Sequence, residues 1–128
     1  MDTPFIVETK EHGIVLMRLV GTLTDQNFDA LKNGVEEAKK KVHEVYDQTK
    51  SMVRVLFDIS EFTGTYNVGA MSAMVDLEKH NRPYVAKTAI FGGSQAARIA
   101  TEVTVTLIGQ PSLKMFTSKE EAEGWLLK

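Results

Sequence analysis

The chain has 128 residues, of which 43% are hydrophobic and 25% are charged, a composition that fits one soluble globular domain spanning residues 1–128. With 15 basic and 17 acidic residues the net charge is −2, which argues against nucleic acid or an anionic membrane as a general partner. Cysteine is absent, which excludes disulfides and thiolate chemistry and fits a cytoplasmic protein. The sequence has no signal-peptide pattern and no apolar run long enough to be an integral membrane segment.

The first part of the chain predicts a β-hairpin followed by a long amphipathic helix. Phe5-Ile6-Val7 and the run from Ile14 to Val20 are apolar and β-branched, and a turn-prone segment separates them. Thr24 is predicted to cap the helix, and Gly34 is predicted to be a tolerated weak point inside it. The apolar positions of the helix recur at three- and four-residue spacing: Phe28, Leu31, Val35, Ala38, Val42 and Val45.

The middle of the chain predicts a short buried strand, a polar loop and a second helix. The strand is Val53 to Phe57, the loop runs from Asp58 to Asn67, and Asn67 is placed to cap the helix. Asn81-Arg82-Pro83 must end that helix, because proline cannot continue it. Ligands and partners of α/β sheets collect at the carboxyl ends of strands, so the main working surface is predicted at this loop and helix start.

The last part of the chain predicts two more strands and two more helices. A strand from Val85 to Phe91 ends at Gly92-Gly93, and Ser94 is placed to cap a helix. The inward positions of that helix are predicted to be Ala97, Ala100, Val103 and Leu107. A strand from Leu113 to Phe116 precedes a capping box, Ser118-Lys119-Glu120-Glu121, that starts the final helix. The order β-β-α-β-α-β-α-β-α predicts one α/β domain with a mixed sheet whose central strands are parallel.

This order resembles the STAS domain, the fold of sulfate-transporter tails and anti-sigma-factor antagonists, in its SpoIIAA-like branch. The resemblance rests on the strand Val53 to Phe57 followed by Asp58-Ile59-Ser60, on Gly69 in the first turn of the second helix, and on a closing segment, Met115 to Ala122 with Trp125-Leu126. It implies a non-catalytic regulatory domain that binds a protein partner.

In antagonist members of this family, an Asp-Ser-Ser/Thr-Gly-Leu pattern carries a hydroxyl that a partner kinase phosphorylates. When Asp58-Ile59-Ser60 is set on the family's Asp-Leu-Ser and Gly69 on its glycine, Tyr66, Asn67 and Val68 occupy the phosphoacceptor region. The usual phosphoacceptor serine is therefore missing. Nearby hydroxyls at Thr63, Thr65 and Tyr66 are expected to satisfy turns.

The partner-binding residues are predicted at the same edge. They are Ser60, Thr63, Thr65, Tyr66, Asn67 and Met71. The alternative function is binding of a small hydrophobic or lipid-like ligand, because Met71 and Met74 could line an adaptable apolar surface. Homodimerisation through an edge strand or an apolar helix is left open.

Catalysis, cofactors and metals are not predicted. Asp58 is expected to accept N–H groups of its own turn, and Ser94 with Arg98 could bind an anion, although simple helix capping is favoured. An enzyme would require Asp58, Ser94 and Arg98 to converge on one cleft. No metal site is expected, because His12, His43 and His80 show no metal-ligand spacing.

Overall fold

The computed structural model describes residues 3–128, and its elements follow the predicted order. The strands are β1 (Phe5–Thr9), β2 (Ile14–Leu23), β3 (Val53–Tyr66), β4 (Val85–Phe91) and β5 (Leu113–Phe116). The helices are α1 (Phe28–Thr49), α2 (Val68–Asn81), α3 (Gln95–Ile108) and α4 (Lys119–Leu126). Short 3₁₀ turns lie at Glu11–Gly13 and Arg82–Tyr84.

The five strands form one mixed sheet in the order β1-β2-β3-β4-β5. β1 is antiparallel to β2, and every other neighbouring pair is parallel. Helices α1, α2 and α3 pack on one face, whereas α4 packs on the other. The predicted mixed sheet with parallel central strands is confirmed.

Two apolar cores, one on each face of the sheet, explain why the strands read as nearly continuous apolar runs. Along β2, Val15 and Met17 face the three-helix side, while Ile14 and Leu16 face α4. Side chains of successive strand residues point to opposite faces, and both faces of this strand are covered.

β3 is longer than the sequence predicted, and the expected loop from Asp58 to Asn67 is wrong. The strand continues to Tyr66 because Ile59 and Phe62 are buried and the chain keeps pairing with β2. The pairing passes through two register shifts, the first of them immediately after Arg18 and Asp58. Such bulges insert unpaired residues and interrupt the regular alternation of a strand, so the sequence of this segment was typical of a polar loop.

The start of α1 also differs from the prediction. Asn27, rather than Thr24, occupies the N-cap position, and its Oδ1 accepts the Thr24 N–H at 2.9 Å. Gly34 is not a tolerated weak point, because a Cβ there would lie 2.7 Å from the Cβ of Phe5. The glycine lets α1 approach β1 closely.

The orientation of α3 is a third correction. Val103 and Leu107, predicted to face inward, are 46% and 63% exposed. Ala97 and Ala100 do face inward, as predicted, and Thr101, Thr104 and Val105 complete the inner face. The large apolar side chains of this helix lie on its outer face, whereas the sheet packs against smaller side chains, so hydrophobicity alone did not indicate the buried face.

Candidate functional site

The edge predicted to bind a partner begins at a bulge in β3. The Asp58 Oδ1 accepts the Ser60 N–H at 2.8 Å, and the other carboxylate oxygen lies 3.7 Å from Nε of Arg18. Arg18 also donates to Glu61 at 3.3 Å. Asp58 therefore has the structural role that the sequence predicted, holding the turn of the bulge.

The hydroxyl of Thr63 makes hydrogen bonds within β3 and to the neighbouring strand β2. Its Oγ1 lies 2.9 Å from the Thr22 hydroxyl and accepts the Thr65 N–H at 3.2 Å. Thr63 and Thr65 are both exposed, as is Ser60, while Tyr66 is half-buried. The turn-satisfying role expected for Thr63 is thus observed, and the three exposed side chains present a polar surface.

The start of α2 completes this surface. The predicted cap is confirmed, since Asn67 Oδ1 accepts the Ala70 N–H at 2.8 Å. The Asn67 amide donates to Asp25 at 2.6 Å, so a carboxylate lies beside the helix start. Val68, the next residue, is 81% exposed. We call Ser60–Met74 the recognition edge; it combines exposed hydroxyls, an exposed valine and a neighbouring negative charge.

The carboxyl end of β4 lies directly beside the recognition edge. Gly92 has a positive φ of 87° and packs against Ser60, leaving no room for a side chain. The Ser94 Oγ accepts the Ala97 N–H at 3.2 Å, which is the predicted cap. This arrangement brings the start of α3 to the same end of the sheet as the start of α2.

Arg98 links the carboxyl ends of β4 and β5 through hydrogen bonds. Its Nη1 donates to the carbonyl oxygen of Phe116 at 2.8 Å and to that of Gly92 at 3.3 Å. These contacts and the Ser94 cap are structural, and anion binding by the two residues stays a prediction. Asp58, Ser94 and Arg98 each make hydrogen bonds to the surrounding backbone. Within residues 3–128 no cluster of three or more metal-ligating side chains is present.

An apolar pocket lies behind the recognition edge, between the sheet and the inner faces of α2 and α3. Its volume is about 120 Å³. Met71 and Met74 line it, as do Phe57 and Ile90 from the sheet. The pocket exists because α3 presents small side chains such as Ala100 to this space, and these do not fill the gap to the sheet.

The charged groups of the pocket lie at the C-terminal end of α2. Arg82 donates twice to the Glu78 carboxylate, at 3.0 and 2.6 Å, and this contact raises the pKa of Arg82 above its usual value. Asn81 is only 4% exposed, and its Oδ1 has no hydrogen-bond partner within the described part of the chain. A buried, unpartnered amide oxygen is costly, so Asn81 is a candidate functional residue.

Sequence reasoning missed Asn81, although a signal was present. Position 81 continues the inner face of α2 that Ala70, Met74 and Leu77 establish at helical spacing. A polar residue in an apolar stripe is unusual, but the neighbouring Arg82-Pro83 indicates only the end of the helix.

The outer face of α3 carries an apolar stripe. Ile99, Val103 and Leu107 follow each other at four-residue intervals and are 56%, 46% and 63% exposed. Homodimerisation stays a prediction, and this stripe is the apolar helix on which it can be tested. No helix within residues 3–128 is both long and apolar enough to cross a membrane.

Comparison with known proteins gives one family and several related folds. A family model described as SpoIIAA-like matches residues 14–127. No curated protein sequence matches the chain. A DUF3478-family protein of Shewanella loihica PV-4 with a SpoIIAA-like fold, itself uncharacterised, is 20% identical, with a TM-score of 0.62 over 95% of this chain and 91% of that one.

The anti-sigma factor antagonist SpoIIAA is similar in both of its forms. The unphosphorylated form is 17% identical, with a TM-score of 0.59 over 96% of this chain and 97% of that one. The phosphorylated form, from Bacillus, is 16% identical, with a TM-score of 0.56 over 94% and 97% of the two chains. At these identities the likeness establishes the fold alone.

Proposed function

Because the chain belongs to the SpoIIAA-like family, we propose that it is a non-catalytic regulatory domain that binds a protein partner through the recognition edge. The observation that carries the proposal is Val68, an apolar side chain that is 81% exposed at the start of α2. It follows Asn67, whose amide donates to Asp25, and the exposed hydroxyls of Thr63 and Thr65 precede it in the chain. An apolar centre with a polar rim is the usual composition of a protein-binding surface.

We further propose that this edge works without the serine phosphorylation of antagonists. Asn67 and Val68 stand at the helix start, where the resemblance expects the phosphorylated hydroxyl. The Asn67 side chain is already committed to capping Ala70 and to Asp25. The carboxylate of Asp25 would also repel a phosphate placed there.

Site-specific photo-crosslinking in the native cell tests the docking surface. A photoreactive residue replaces Val68, and a matched control carries it at Met52, which is also exposed, at 44%, but lies outside the recognition edge. We expect a discrete protein adduct at position 68 that is absent at position 52. Identical adduct patterns at the two positions, or no adduct at position 68, would contradict this placement.

Mass spectrometry of the protein from the same cells tests the phosphorylation proposal. Peptides covering Ser60, Thr63, Thr65 and Tyr66 are expected to be unmodified under conditions in which the crosslinked partner is bound and released. Phosphate on any of these hydroxyls that changes in step with partner binding would refute a phosphate-independent edge.

A second function is supported by the pocket: binding of a small hydrophobic ligand. The pocket is partly open to solvent and has a volume of about 120 Å³, somewhat less than the buried cavity of about 150 Å³ that can accept benzene, so it would hold a small apolar group. Met71 and Met74 supply walls that can adjust to shape, since methionine is unbranched and flexible. The ligand would lie directly beneath the recognition edge.

Toluene provides a direct probe of this second function. In an NMR titration, toluene should shift amide resonances of pocket residues in the wild-type protein. Ala100→Leu places a larger side chain in the pocket and should abolish those shifts, whereas Thr106→Leu on the exposed side of the same helix should not. Failure of the wild-type protein to bind toluene would remove the support for an apolar ligand.

A further inference from the structure

Three basic side chains lie together on the α4 face of the sheet, near the amino ends of the parallel strands. Arg54, Lys87 and Lys114 stand close to the starts of β3, β4 and β5. Arg54 pairs directly with Lys87, and Lys114 pairs with Ala89 in the same strand as Lys87. Side chains two residues apart share a face, and the residue two positions after each cation packs into the core beneath α4. We call these three residues the basic face.

The C-terminal end of α4 brings aromatic and apolar groups to the basic face. Lys87 Nζ donates to the Trp125 carbonyl at 2.9 Å and lies 4.9 Å from the centre of the indole ring. Lys114 Nζ lies 5.8 Å from the same ring. Met52 precedes β3 and Leu127 follows α4, so both lie at this end of the domain, where they are 44% and 49% exposed.

Carboxylates do not neutralise the basic face. Every ion pair within residues 3–128 involves a cation outside it. Like charges directly opposite each other in a sheet, as Arg54 and Lys87 are, destabilise the pairing of the strands. An anionic surface that covers both side chains would remove this repulsion.

The net charge of −2 for the whole chain does not cancel this local attraction. The potential of an anionic membrane falls off within a Debye length, which is about 8 Å at physiological ionic strength. Only the face that meets the membrane therefore contributes. A chain with a small negative net charge can bind such a surface in one orientation.

We propose that the basic face binds the surface of an anionic phospholipid membrane. Neighbouring strands are about 4.8 Å apart, so the three cations spread over about 10 Å and can contact more than one headgroup. Trp125 lies at headgroup level, where tryptophan is enriched, and Leu127 adds an apolar contact at the acyl boundary. The recognition edge lies at the carboxyl ends of the strands, so the bound protein presents that edge away from the membrane.

The fluorescence of Trp125, which is the only tryptophan of the chain, reports on this face directly. The full chain is mixed with vesicles of about seven parts phosphatidylcholine to three parts phosphatidylserine, an anionic lipid. We expect the protein to sediment with these vesicles and the Trp125 emission to shift to shorter wavelength. Both effects should be lost at high salt and with vesicles of phosphatidylcholine alone.

Charge-removing variants locate the binding surface. Each cation near an anionic membrane strengthens binding about fivefold, so Lys114→Gln should weaken vesicle binding about fivefold and the double variant Arg54→Gln Lys114→Gln roughly 25-fold. Lys40→Gln is the matched control, because Lys40 is exposed on α1 on the opposite face of the sheet and the same charge is lost. It should leave binding unchanged. If the double variant does not fold, the exposed Lys114 alone decides the test.

Three outcomes would overturn the proposal. The first is a wild-type protein that leaves the anionic vesicles unbound, or binds both kinds of vesicle equally. The second is an equal loss of binding in Lys114→Gln and Lys40→Gln. The third is a change in Trp125 emission with inorganic phosphate or a hexaglutamate peptide but not with vesicles, which would assign the basic face to a soluble anion.

Discussion

Gly64 holds the far end of β3 against the start of α3, and replacing it should damage the geometry of the recognition edge. Its φ is 92°, and a Cβ there would lie 2.7 Å from the carbonyl carbon of Ala96 and 2.9 Å from the Ala97 nitrogen. Alanine would therefore be strained in its backbone and would also collide with another backbone. Neither problem can be relieved by rotating a side chain.

Alanine substitutions at three other glycines measure the backbone strain and the collision separately. Gly21 has a φ of 74° with nothing within 4 Å, so Gly21→Ala isolates the backbone strain, about 1–2 kcal/mol. Gly34 adopts helical backbone but approaches Phe5, so Gly34→Ala sets an overpacking cost of about 1–3 kcal/mol against a helix-propensity gain of about 1 kcal/mol. Gly124 in α4 has nothing within 4 Å, so Gly124→Ala should stabilise by up to about 1 kcal/mol.

The sum of strain and overpacking gives Gly64→Ala a cost of about 2–5 kcal/mol in the free energy of unfolding. Urea denaturation of the four variants, followed by far-UV circular dichroism, measures these differences. We expect Gly64→Ala to be the least stable of the four and Gly124→Ala the most stable. If Gly64→Ala is no less stable than Gly21→Ala, the close approach of β3 to α3 is not present in solution.

Three further changes test contacts at the edge and on the helical face. Asn67→Ala removes the cap on the Ala70 N–H and should lower the free energy of unfolding by about 1 kcal/mol in urea titrations, whereas a cost near zero would show that water caps α2 equally well. Asp76→Asn removes an ion pair with Lys39 at 2.8 Å; because 66% of the Asp76 side chain is exposed, the loss should stay below about 1 kcal/mol near neutral pH. The hydrogen bond from Lys39 lowers the pKa of Asp76 in the folded protein. The ion pair therefore stabilises the fold above the ordinary Asp76 pKa of 3.8, and this stabilisation is lost as the pH falls through the lowered pKa of the folded state. A wild-type protein that stays more stable than Asp76→Asn in strong acid would contradict this direction. Arg98→Met keeps much of the side-chain bulk but leaves two backbone carbonyls without their donor, so a cost of about 1–3 kcal/mol is expected in the same titrations, and an unchanged midpoint would show that these contacts are not stabilising.

Local chemistry explains what the sequence could predict. The caps at Asn67, Ser94 and Ser118 lie within three residues of the N–H groups they accept, so residue type and position were sufficient to place them. The order of strands and helices could also be predicted, because hydrophobic periodicity is a pattern of residues close together in the chain. The edge residues from Ser60 to Met71 are neighbours in the chain and form one surface whether the segment is loop or strand.

Non-local packing explains what the sequence could not predict. The extension of β3 depends on pairing with β2 across register shifts, and neither strand alone encodes that pairing. The stripe of Ile99, Val103 and Leu107 is exposed because the sheet packs against the face of α3 that carries smaller side chains. The position of Asn81 became informative only when the fold placed it beside the pocket between α2, α3 and the sheet.

The two proposed functions share α2 but depend on different atoms. Val68 belongs to the recognition edge and is absent from the pocket lining, whereas Asn81 lines the pocket and lies outside the edge. Five residues belong to both: Phe62, Tyr66, Ala70, Met71 and Met74. If ligand and partner bind the same molecule, thermodynamic reciprocity requires that each change the affinity of the other by the same factor. A ligand that displaces Tyr66 or Met71 would change the affinity for the partner. Equal partner affinities with and without ligand would show that these two side chains keep their positions when the pocket is filled.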